Sequence, residues 1–231
     1  MLDAILERVH SEYLRRMTRG EGQLLRQVEQ YTAARQGKML RPRLTLLAAA
    51  TLGNEFLCSR RTLLLATCVE MLHNASLLHD DVVDSSMERR GQPSVNARWN
   101  SRVAVLVGDY HLAQIMALLD EVDEPDASRL VNRTVMAMVE GELLQQEVIA
   151  GLELTQDNYL KIIDGKTARL FSTACALGNP DYADFGLHYG RLFQLRDDIA
   201  DGEDTPWTRP LIEREEQILG QLPLQLQLPL Q

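Results

Sequence analysis

The sequence is poor in the features that define several large protein classes. Its three cysteines, Cys58, Cys68 and Cys175, are odd in number and lack metal-binding spacing. We therefore predict no disulfide framework and a reducing, cytoplasmic compartment. Alternating β-type segments joined by hairpin turns are absent, which disfavours an all-β fold. No apolar run is predicted to span a bilayer, and the charged N-terminal segment does not resemble a signal peptide, so we expect no integral membrane segment.

Positive charge is also scarce, because 24 Lys and Arg residues stand against 33 Asp and Glu residues, for a formal net charge of −9. This balance argues against a general nucleic-acid binder, although a local cationic site can still bind an anion. Only Lys38, Lys161 and Lys166 are lysines. A lysine retained in such an arginine-rich chain suggests a position that needs a compact ammonium group.

Helical periodicity runs through most of the chain and predicts an all-α fold. A length of 231 residues is enough for one large domain. We predict a single antiparallel helical bundle around a deep central cavity over residues 1–220. The segment 221–231, QLPLQLQLPLQ, is of low complexity and is predicted to be a disordered tail. Helices are predicted over residues 2–17, 21–36, 42–52, 60–85, 101–122, 126–151, 155–177 and 181–203.

Two aspartate clusters with identical spacing stand out in this pattern. Residues i and i+4 of a helix share a face, so the outer carboxylates of each cluster point the same way. Such crowded carboxylates repel one another unless a cation binds them, and oxygen ligands suit Mg2+ that keeps waters and shares phosphate oxygens. The two clusters are therefore predicted to grip one diphosphate. They are Asp80, Asp81 and Asp84 in LLHDDVVD, and Asp197, Asp198 and Asp201 in FQLRDDIAD.

Several basic residues lie near these clusters or near a helix start, where free amide groups favour anions. Carboxylate clusters combined with such cations suit two diphosphates, one held through Mg2+ and the other held directly. The basic residues in question are Lys38 and Arg41 before a helix start, His73 two turns before Asp80, Arg89 and Arg90 after the first cluster, and Lys166 within DGKTARLF.

These motifs occur in an order that resembles the all-trans isoprenyl diphosphate synthases of the polyprenyl synthetase family. The resemblance implies a homodimer that uses two to three Mg2+ ions and joins isopentenyl diphosphate to an allylic diphosphate in a 1'-4, all-trans condensation. The matching segments are GKMLRP at 37–42, EMLHNASLLHDDVVDSSMERRGQPSVN at 70–96, LVGDY at 106–110, EGELLQ at 140–145, YLKIIDGKTARLF at 159–171 and FQLRDDIAD at 193–201.

The resemblance also implies a role for each matching residue. The metal ligands are Asp80, Asp84 and Asp197, supported by Asp81, Asp198 and Asp201. The residues that contact the allylic diphosphate are Arg89 and Lys166. Those that bind isopentenyl diphosphate are Lys38, Arg41, His73 and Arg90. Thr167 and Gln194 line the site near the developing allylic cation and, with Lys166, form the catalytic set.

Product length is expected to depend on the fifth and fourth residues before Asp80, which are Ala75 and Ser76. Bulky aromatic residues at these positions in the resembled family block the growing chain. Because both residues here are small, we predict a tunnel that continues toward the helix at 101–120. Products of twenty carbons or more are therefore expected.

The sequence departs from the pattern of the resembled family in one respect, because no lysine occurs after Lys166. Other interpretations therefore stay open. The resembled family carries a further diphosphate-binding lysine beyond its second acid motif and is usually longer by several helices. A second interpretation is therefore a weakly active or inactive subunit that modifies a full-length synthase. A terpene cyclase shares the first acid motif and the helical fold, but it lacks the GKxxRP and Arg-Arg elements present here. A non-enzymatic acidic scaffold would leave the grouped cations unexplained.

Overall fold

The computed structural model describes residues 1–34 and 37–222. Its regular structure is almost entirely helical, which confirms the predicted all-α class. Of the predicted tail at 221–231, only Gln221 and Leu222 fall within the described residues. The helices are α1 (Leu2–Met17), α2 (Gln23–Ala33), α3 (Leu40–Ala50), α4 (Asn54–Leu57), α5 (Arg60–Val83), α6 (Val95–Arg98), α7 (Ser101–Val122), α8 (Pro125–Ile149), α9 (Gln156–Ile163), α10 (Arg169–Gly178), α11 (Ala183–Asp201) and α12 (Thr208–Gln221).

The chain divides into two compact units, and the boundary falls inside α3. The first unit contains Met1–Arg43 and Cys58–Glu124, and the second contains Leu44–Leu57 and the chain from Pro125 onward. That residues 1–220 form one domain stays a prediction.

The first unit is built around α5. This helix begins where the sequence indicates, because the Ser59 hydroxyl accepts a hydrogen bond of 3.1 Å from the Thr62 amide and so caps the first turn. Helices α1 and α7 pack against α5. Leu78 of α5 lies in one apolar cluster with Ala104 and Val107 of α7. This packing fixes the C-terminal end of α5, which carries the first aspartate cluster.

The connection after α5 contains a short hairpin, formed by β1 (Glu88–Arg89) and β2 (Gln92–Pro93). No strand was predicted in this segment, so the hairpin is a difference from the sequence-based expectation. Arg90 and Gly91 both have positive φ angles, of 53° and 73°. Two successive residues of this kind suit the tight turn that matches the twist of a hairpin. Arg89 and Arg90 therefore have fixed backbone positions.

In the second unit, the helix predicted over 155–177 is interrupted. A π-helical turn at Asp164–Ala168 separates α9 from α10. Close backbone packing accompanies this turn, because a methyl group added to Gly141 of α8 would lie only 2.9 Å from the Cα atom of Gly165. The turn carries Lys166 and Thr167.

Helix α12 was not among the predicted helices. It packs against α11, and its Leu211 belongs to an apolar cluster with Tyr159, Ile163 and Leu195. The C-terminal part of the described chain is therefore folded onto the helices that carry the second aspartate cluster.

Within the described residues, α7 is long and apolar enough to cross a membrane by length and composition. Its buried residues, including Ala104, Val107 and Ile115, belong to the core of the first unit. This is the pattern of a core helix in a folded domain and is no sign of an integral membrane protein.

Candidate active site

The first aspartate cluster lies at the C-terminal end of α5, and its three members differ in exposure. Asp81 is only 3% exposed, whereas Asp80 is half-buried and Asp84 is exposed. Arg89 donates hydrogen bonds to Asp81 Oδ1 from Nε at 2.8 Å and from Nη2 at 2.6 Å. The buried carboxylate thus holds the first arginine of the hairpin, while the outer carboxylates face the surface of this unit.

Positively charged side chains surround His73, which lies on α5 about two helical turns before Asp80. Burial lowers the pKa of His73 well below its usual value, and the charges of Arg41, Arg90 and Arg89 lower it further. Four residues predicted to bind diphosphates are therefore grouped in the first unit. His73 is neutral near pH 7 and can donate only one N–H hydrogen bond.

Arg90 packs closely against the segment that precedes α3. A methyl group on Gly37 would lie 2.6 Å from Arg90 Nη2, so the glycine leaves room for the guanidinium. Lys38 follows directly and is exposed. The two motifs GKMLRP and Arg89-Arg90, which are far apart in sequence, therefore meet.

Glu70 is a member of this group that the sequence analysis missed. It is 3% exposed, and burial raises its pKa, while the charges of Arg41 and Arg90 act in the opposite direction. Asn74 donates a hydrogen bond of 3.1 Å to Glu70 Oε1. The available signal was its position three residues before His73, on the same side of a helix.

The two residues predicted to control product length lie one turn further along α5. Ala75 has no exposed surface, and the Ser76 hydroxyl donates a hydrogen bond of 2.9 Å to the carbonyl of His73. Both belong to the helix that packs on α7, the direction in which the tunnel is predicted to continue. Their effect on product length stays a prediction.

The second aspartate cluster lies at the C-terminal end of α11 and repeats the pattern of the first. Asp198 is 7% exposed, while Asp197 and Asp201 are exposed. Asp198 accepts hydrogen bonds from the Tyr159 hydroxyl at 2.5 Å and from Gln194 Nε2 at 2.7 Å. Burial and the Asp198 carboxylate raise the pKa of Tyr159, so its hydroxyl keeps its proton and donates it to this bond.

The π-helical turn places Thr167 and Lys166 beside this cluster. Thr167 donates a hydrogen bond of 2.6 Å to Gln194 Oε1, which links it through Gln194 to Asp198. Lys166 Nζ donates to Gln145 Oε1 at 2.5 Å and lies 2.6 Å from Glu142 Oε2. The three residues predicted as the catalytic set therefore lie in one polar group of the second unit.

Tyr159, Glu142 and Gln145 were not predicted as site residues. Glu142 and Gln145 lie on α8, and their sequence context favoured polar contacts between helices over contact with a ligand. Tyr159 is 39 residues from Asp198 along the chain, and the usable signal was its place seven residues, about two helical turns, before Lys166.

A cavity of about 350 Å3 opens at this polar group. Lys166, Gln194 and Asp198 supply polar groups to its wall, and Ile149 and Ile162 supply apolar surface. Pockets of this size and mixed lining bind small molecules. The wall carries one ammonium group, the carboxylates of Asp198 and Glu203, and apolar surface. A molecule with an anionic end and a hydrocarbon part would meet Lys166 and would need a cation beside the carboxylates.

Chemically, the outer carboxylates fit a divalent cation that takes only part of its ligands from protein. Within residues 1–34 and 37–222, no three His, Cys, Asp or Glu side chains are grouped closely enough to form a metal cage. Mg2+ normally keeps several waters and binds through one or two carboxylates together with substrate phosphates. Surface-facing pairs such as Asp80 with Asp84 are of this type. That both clusters act on one diphosphate stays a prediction.

The family follows from a sequence comparison. The family model described as polyprenyl synthetase matches residues 22–208. The chain belongs to the polyprenyl synthetase family. This confirms the resemblance that was inferred from the ordered motifs.

Curated relatives in the polyprenyl synthetase family include enzymes that make long products. The chain is 40% identical over 187 residues to the all-trans-nonaprenyl-diphosphate synthase (geranyl-diphosphate specific) of Rhodobacter capsulatus, a match that covers 77% of this chain and 57% of the relative. It is 33% identical over 214 residues to the octaprenyl diphosphate synthase of Escherichia coli, covering 87% of this chain and 62% of the relative. The chain thus spans about three fifths of the length of these family members.

Solved structures of the polyprenyl synthetase family share this fold. A decaprenyl diphosphate synthase from Rhodobacter capsulatus superposes with a TM-score of 0.81 at 35% identity, covering 87% of this chain and 64% of that one. A polyprenyl synthase from Caulobacter crescentus, complexed with calcium and isoprenyl diphosphate, gives 0.81 at 33% identity and covers 88% and 64%. The all-α fold is therefore that of the isoprenoid synthases.

Proposed function

We propose that this chain condenses isopentenyl diphosphate with an allylic diphosphate in a 1'-4, all-trans reaction and makes products of twenty carbons or more. The observation that carries the proposal is the cavity in the second unit, because its wall combines Lys166, Gln194 and Asp198 with apolar side chains. An allylic diphosphate has the matching chemistry, with an anionic head and a hydrocarbon tail. The names of the relatives, from nonaprenyl to octaprenyl synthase, support the same reaction class.

The outer carboxylates of each cluster, Asp80 and Asp84 in one and Asp197 in the other, would hold Mg2+. When bound, Mg2+ supplies positive charge that offsets the negative charge of a departing diphosphate. The buried Asp81 and Asp198 act differently, since each is already hydrogen-bonded to protein groups. Their task is to orient neighbouring side chains.

Arg89 and Lys166 would bind the allylic diphosphate directly. Arg89 uses Nε and Nη2 on Asp81, which leaves its other N–H groups for phosphate oxygens. Lys166 contacts Gln145 and Glu142, and an ammonium group offers three donors, so it keeps one for the substrate. Both cations are thus aimed by the protein before the substrate binds, which favours charge stabilisation as the diphosphate leaves.

Near the reacting carbon, Thr167 and Gln194 would present fixed oxygen atoms to the developing allylic cation. Gln194 cannot rotate freely, because Asp198 accepts from its Nε2 and Thr167 donates to its Oε1. The amide oxygen is therefore held toward Thr167, and the two side chains form one oriented dipolar pair. The double bond of isopentenyl diphosphate then attacks the allylic cation, and the joined product loses a proton. The departed diphosphate can take this proton, so no protein acid or base is required.

Isopentenyl diphosphate would bind to Arg41, Arg90, Lys38 and His73. The lowered pKa of His73 keeps its imidazole neutral, so it donates one hydrogen bond without adding charge. The guanidinium groups supply the charge-assisted bonds to phosphate. The proposal also includes a homodimer, as the family resemblance implies, and a cytoplasmic location, as the three cysteines without a disulfide pattern indicate.

Incorporation of labelled isopentenyl diphosphate tests the proposal. Purified protein is incubated with Mg2+ and allylic primers of five, ten, fifteen and twenty carbons, and the products are sized by chromatography. Asp84→Asn should reduce incorporation strongly, whereas Asp120→Asn, a change at an exposed acid of the same unit, should leave it unchanged. Chelation should abolish turnover, and added Mg2+ should restore it.

Failure of incorporation with every primer would favour the second candidate, a subunit that modifies a full-length synthase. One observation favours keeping this candidate, because the chain is 37% identical over 150 residues to component 2 of a heptaprenyl diphosphate synthase from Bacillus subtilis. Co-purification with a longer homologue, together with a changed product length in the mixture, would decide for it.

A further inference from the structure

A buried carboxylate links α12 to the proposed catalytic group of the second unit. Glu215 on α12 is only 1% exposed. His188 Nδ1 lies 2.5 Å from its Oε2, and Arg191 Nη1 lies 3.7 Å from its Oε1. Acidic side chains are almost never fully buried unless they are paired. The partners that allow Glu215 to be buried are therefore the two basic residues of α11.

Arg191 connects this carboxylate to the π-helical turn. Its Nε donates to Asp164 Oδ1 and its Nη2 donates to Asp164 Oδ2, both at 2.6 Å. Such a two-pronged, charge-assisted pair fixes orientation as well as distance. These bonds, followed by the charge of Glu215, raise the pKa of Arg191, which stays charged. One arginine thus joins Glu215 on one side to Asp164 on the other.

Asp164 is the first residue of the turn that carries Lys166 and Thr167. A π-helical turn is a rare departure from α-helical geometry that is often found at functional sites. The pair between Arg191 and Asp164 is a contact from outside the helix at the first residue of this turn. Lys166 thus lies two residues beyond Asp164, where an ion-pair chain from α12 ends.

We propose that Glu215 and Arg191 are positioning residues that hold the π-helical turn, and through it Lys166 and Thr167, in the geometry that binds the allylic diphosphate. The substrate part of this inference rests on the proposed function. The coupling between α12 and the turn rests only on the contacts of Glu215, Arg191 and Asp164.

The neighbouring residue offers a matched control. Glu216 also lies on α12 and also pairs with an arginine of α11, because Arg196 Nη2 lies 2.7 Å from Glu216 Oε1. That pair is exposed, with 40% and 46% of the two side chains accessible, and within the described part of the chain it makes no hydrogen bond or ion pair with the turn. Glu215→Gln and Glu216→Gln remove the same charge from the same helix, but only the first acts on Arg191.

Hydrogen–deuterium exchange of the full chain measures the coupling without reference to catalysis. Glu215→Gln should speed exchange of the amides at 164–168 by about threefold or more, because it removes the charge that lies 3.7 Å from Arg191 Nη1, while Glu216→Gln should not. Equal exchange at 164–168 in the two variants would overturn the inference. If Glu215→Gln fails to fold, Asp164→Asn tests the same link from its other end, with the same expected and contradicting results.

Steady-state kinetics tests the positioning role. Glu215→Gln and Arg191→Lys should raise KM for the allylic substrate and leave KM for isopentenyl diphosphate unchanged, because lysine keeps the charge but not the two-pronged geometry. A parallel rise in both KM values would indicate general loosening and would contradict the positioning role. If the wild-type chain shows no incorporation while exchange at 164–168 responds as expected, the proposed function fails and the coupling stands.

Discussion

His111 offers a quantitative test of the core of the first unit. This residue of α7 is 1% exposed, and neither ring nitrogen has a hydrogen-bond partner among the described residues. It lines a cavity of about 40 Å3 together with Tyr13, Asn74 and Asp81. Burial lowers the pKa of His111 to about 3, and the nearby His79 adds to this effect.

The stability consequence follows from the two pKa values. In the unfolded chain the imidazole takes up a proton below about pH 6.5, whereas in the folded protein it stays neutral until about pH 3. The unfolded state therefore binds more protons between these values, and stability falls as the pH is lowered through this window. Between pH 7.5 and pH 5, His111 alone should cost about 2 kcal/mol of unfolding free energy.

Urea unfolding of the wild type and of His111→Leu at pH 7.5, 6.5, 5.5 and 5 measures this cost. The leucine variant should be at least as stable at pH 7.5, because it removes an unpaired polar ring from the core. Its advantage should then grow by about 2 kcal/mol toward pH 5. His73, whose pKa is also lowered, is present in both proteins and cancels in the comparison. Identical pH dependence of the two proteins would refute the reasoning.

Three further predictions concern single side chains. Ala75→Phe should shorten the products, because the added ring would occupy the predicted tunnel; unchanged product length on chromatography in a folded variant would show that the residue does not limit the chain. Gly141→Ala should lower stability by about 1–3 kcal/mol and reduce incorporation, because the new methyl group would lie 2.9 Å from Gly165 Cα and 3.0 Å from the Lys166 amide; wild-type values in urea unfolding and in the incorporation assay would contradict this. Ser59→Ala should cost about 1 kcal/mol in urea unfolding through loss of the helix cap, and an unaltered midpoint would mean that the cap contributes nothing.

Local chemistry in the sequence was sufficient to predict much of the fold. The helix predicted from residue 60 begins there, because the Ser59 side chain caps it through one nearby amide. The grouping of His73 with Arg41 and Arg90 was likewise inferred from motif order. Asp81 and Asp84 share one motif but differ in exposure, because Arg89 of the hairpin packs on Asp81. Helical periodicity does not predict on which side the hairpin returns.

Features that depend on distant partners could not be predicted in this way. The π-helical turn accompanies the close approach of Gly165 to Gly141. Glycines occur in apolar helical segments for many reasons, so their presence in the sequence does not predict this contact. The bond between Tyr159 and Asp198 joins residues 39 positions apart. Helix α12 was missed because its first residues are Thr, Arg and Pro, which give no clear apolar pattern. Its Leu211 is buried only through contacts with residues of other helices.

The tight turn at Arg90 and Gly91 has a consequence for how the first unit could change. Arg89 donates hydrogen bonds to the buried Asp81, while Arg90 packs against Gly37, next to Lys38. The two adjacent guanidinium groups thus make separate contacts because the backbone reverses at Arg90 and Gly91. Inserting one residue into this turn would displace both guanidinium groups at once, although the Arg89-Arg90 motif itself would be unchanged.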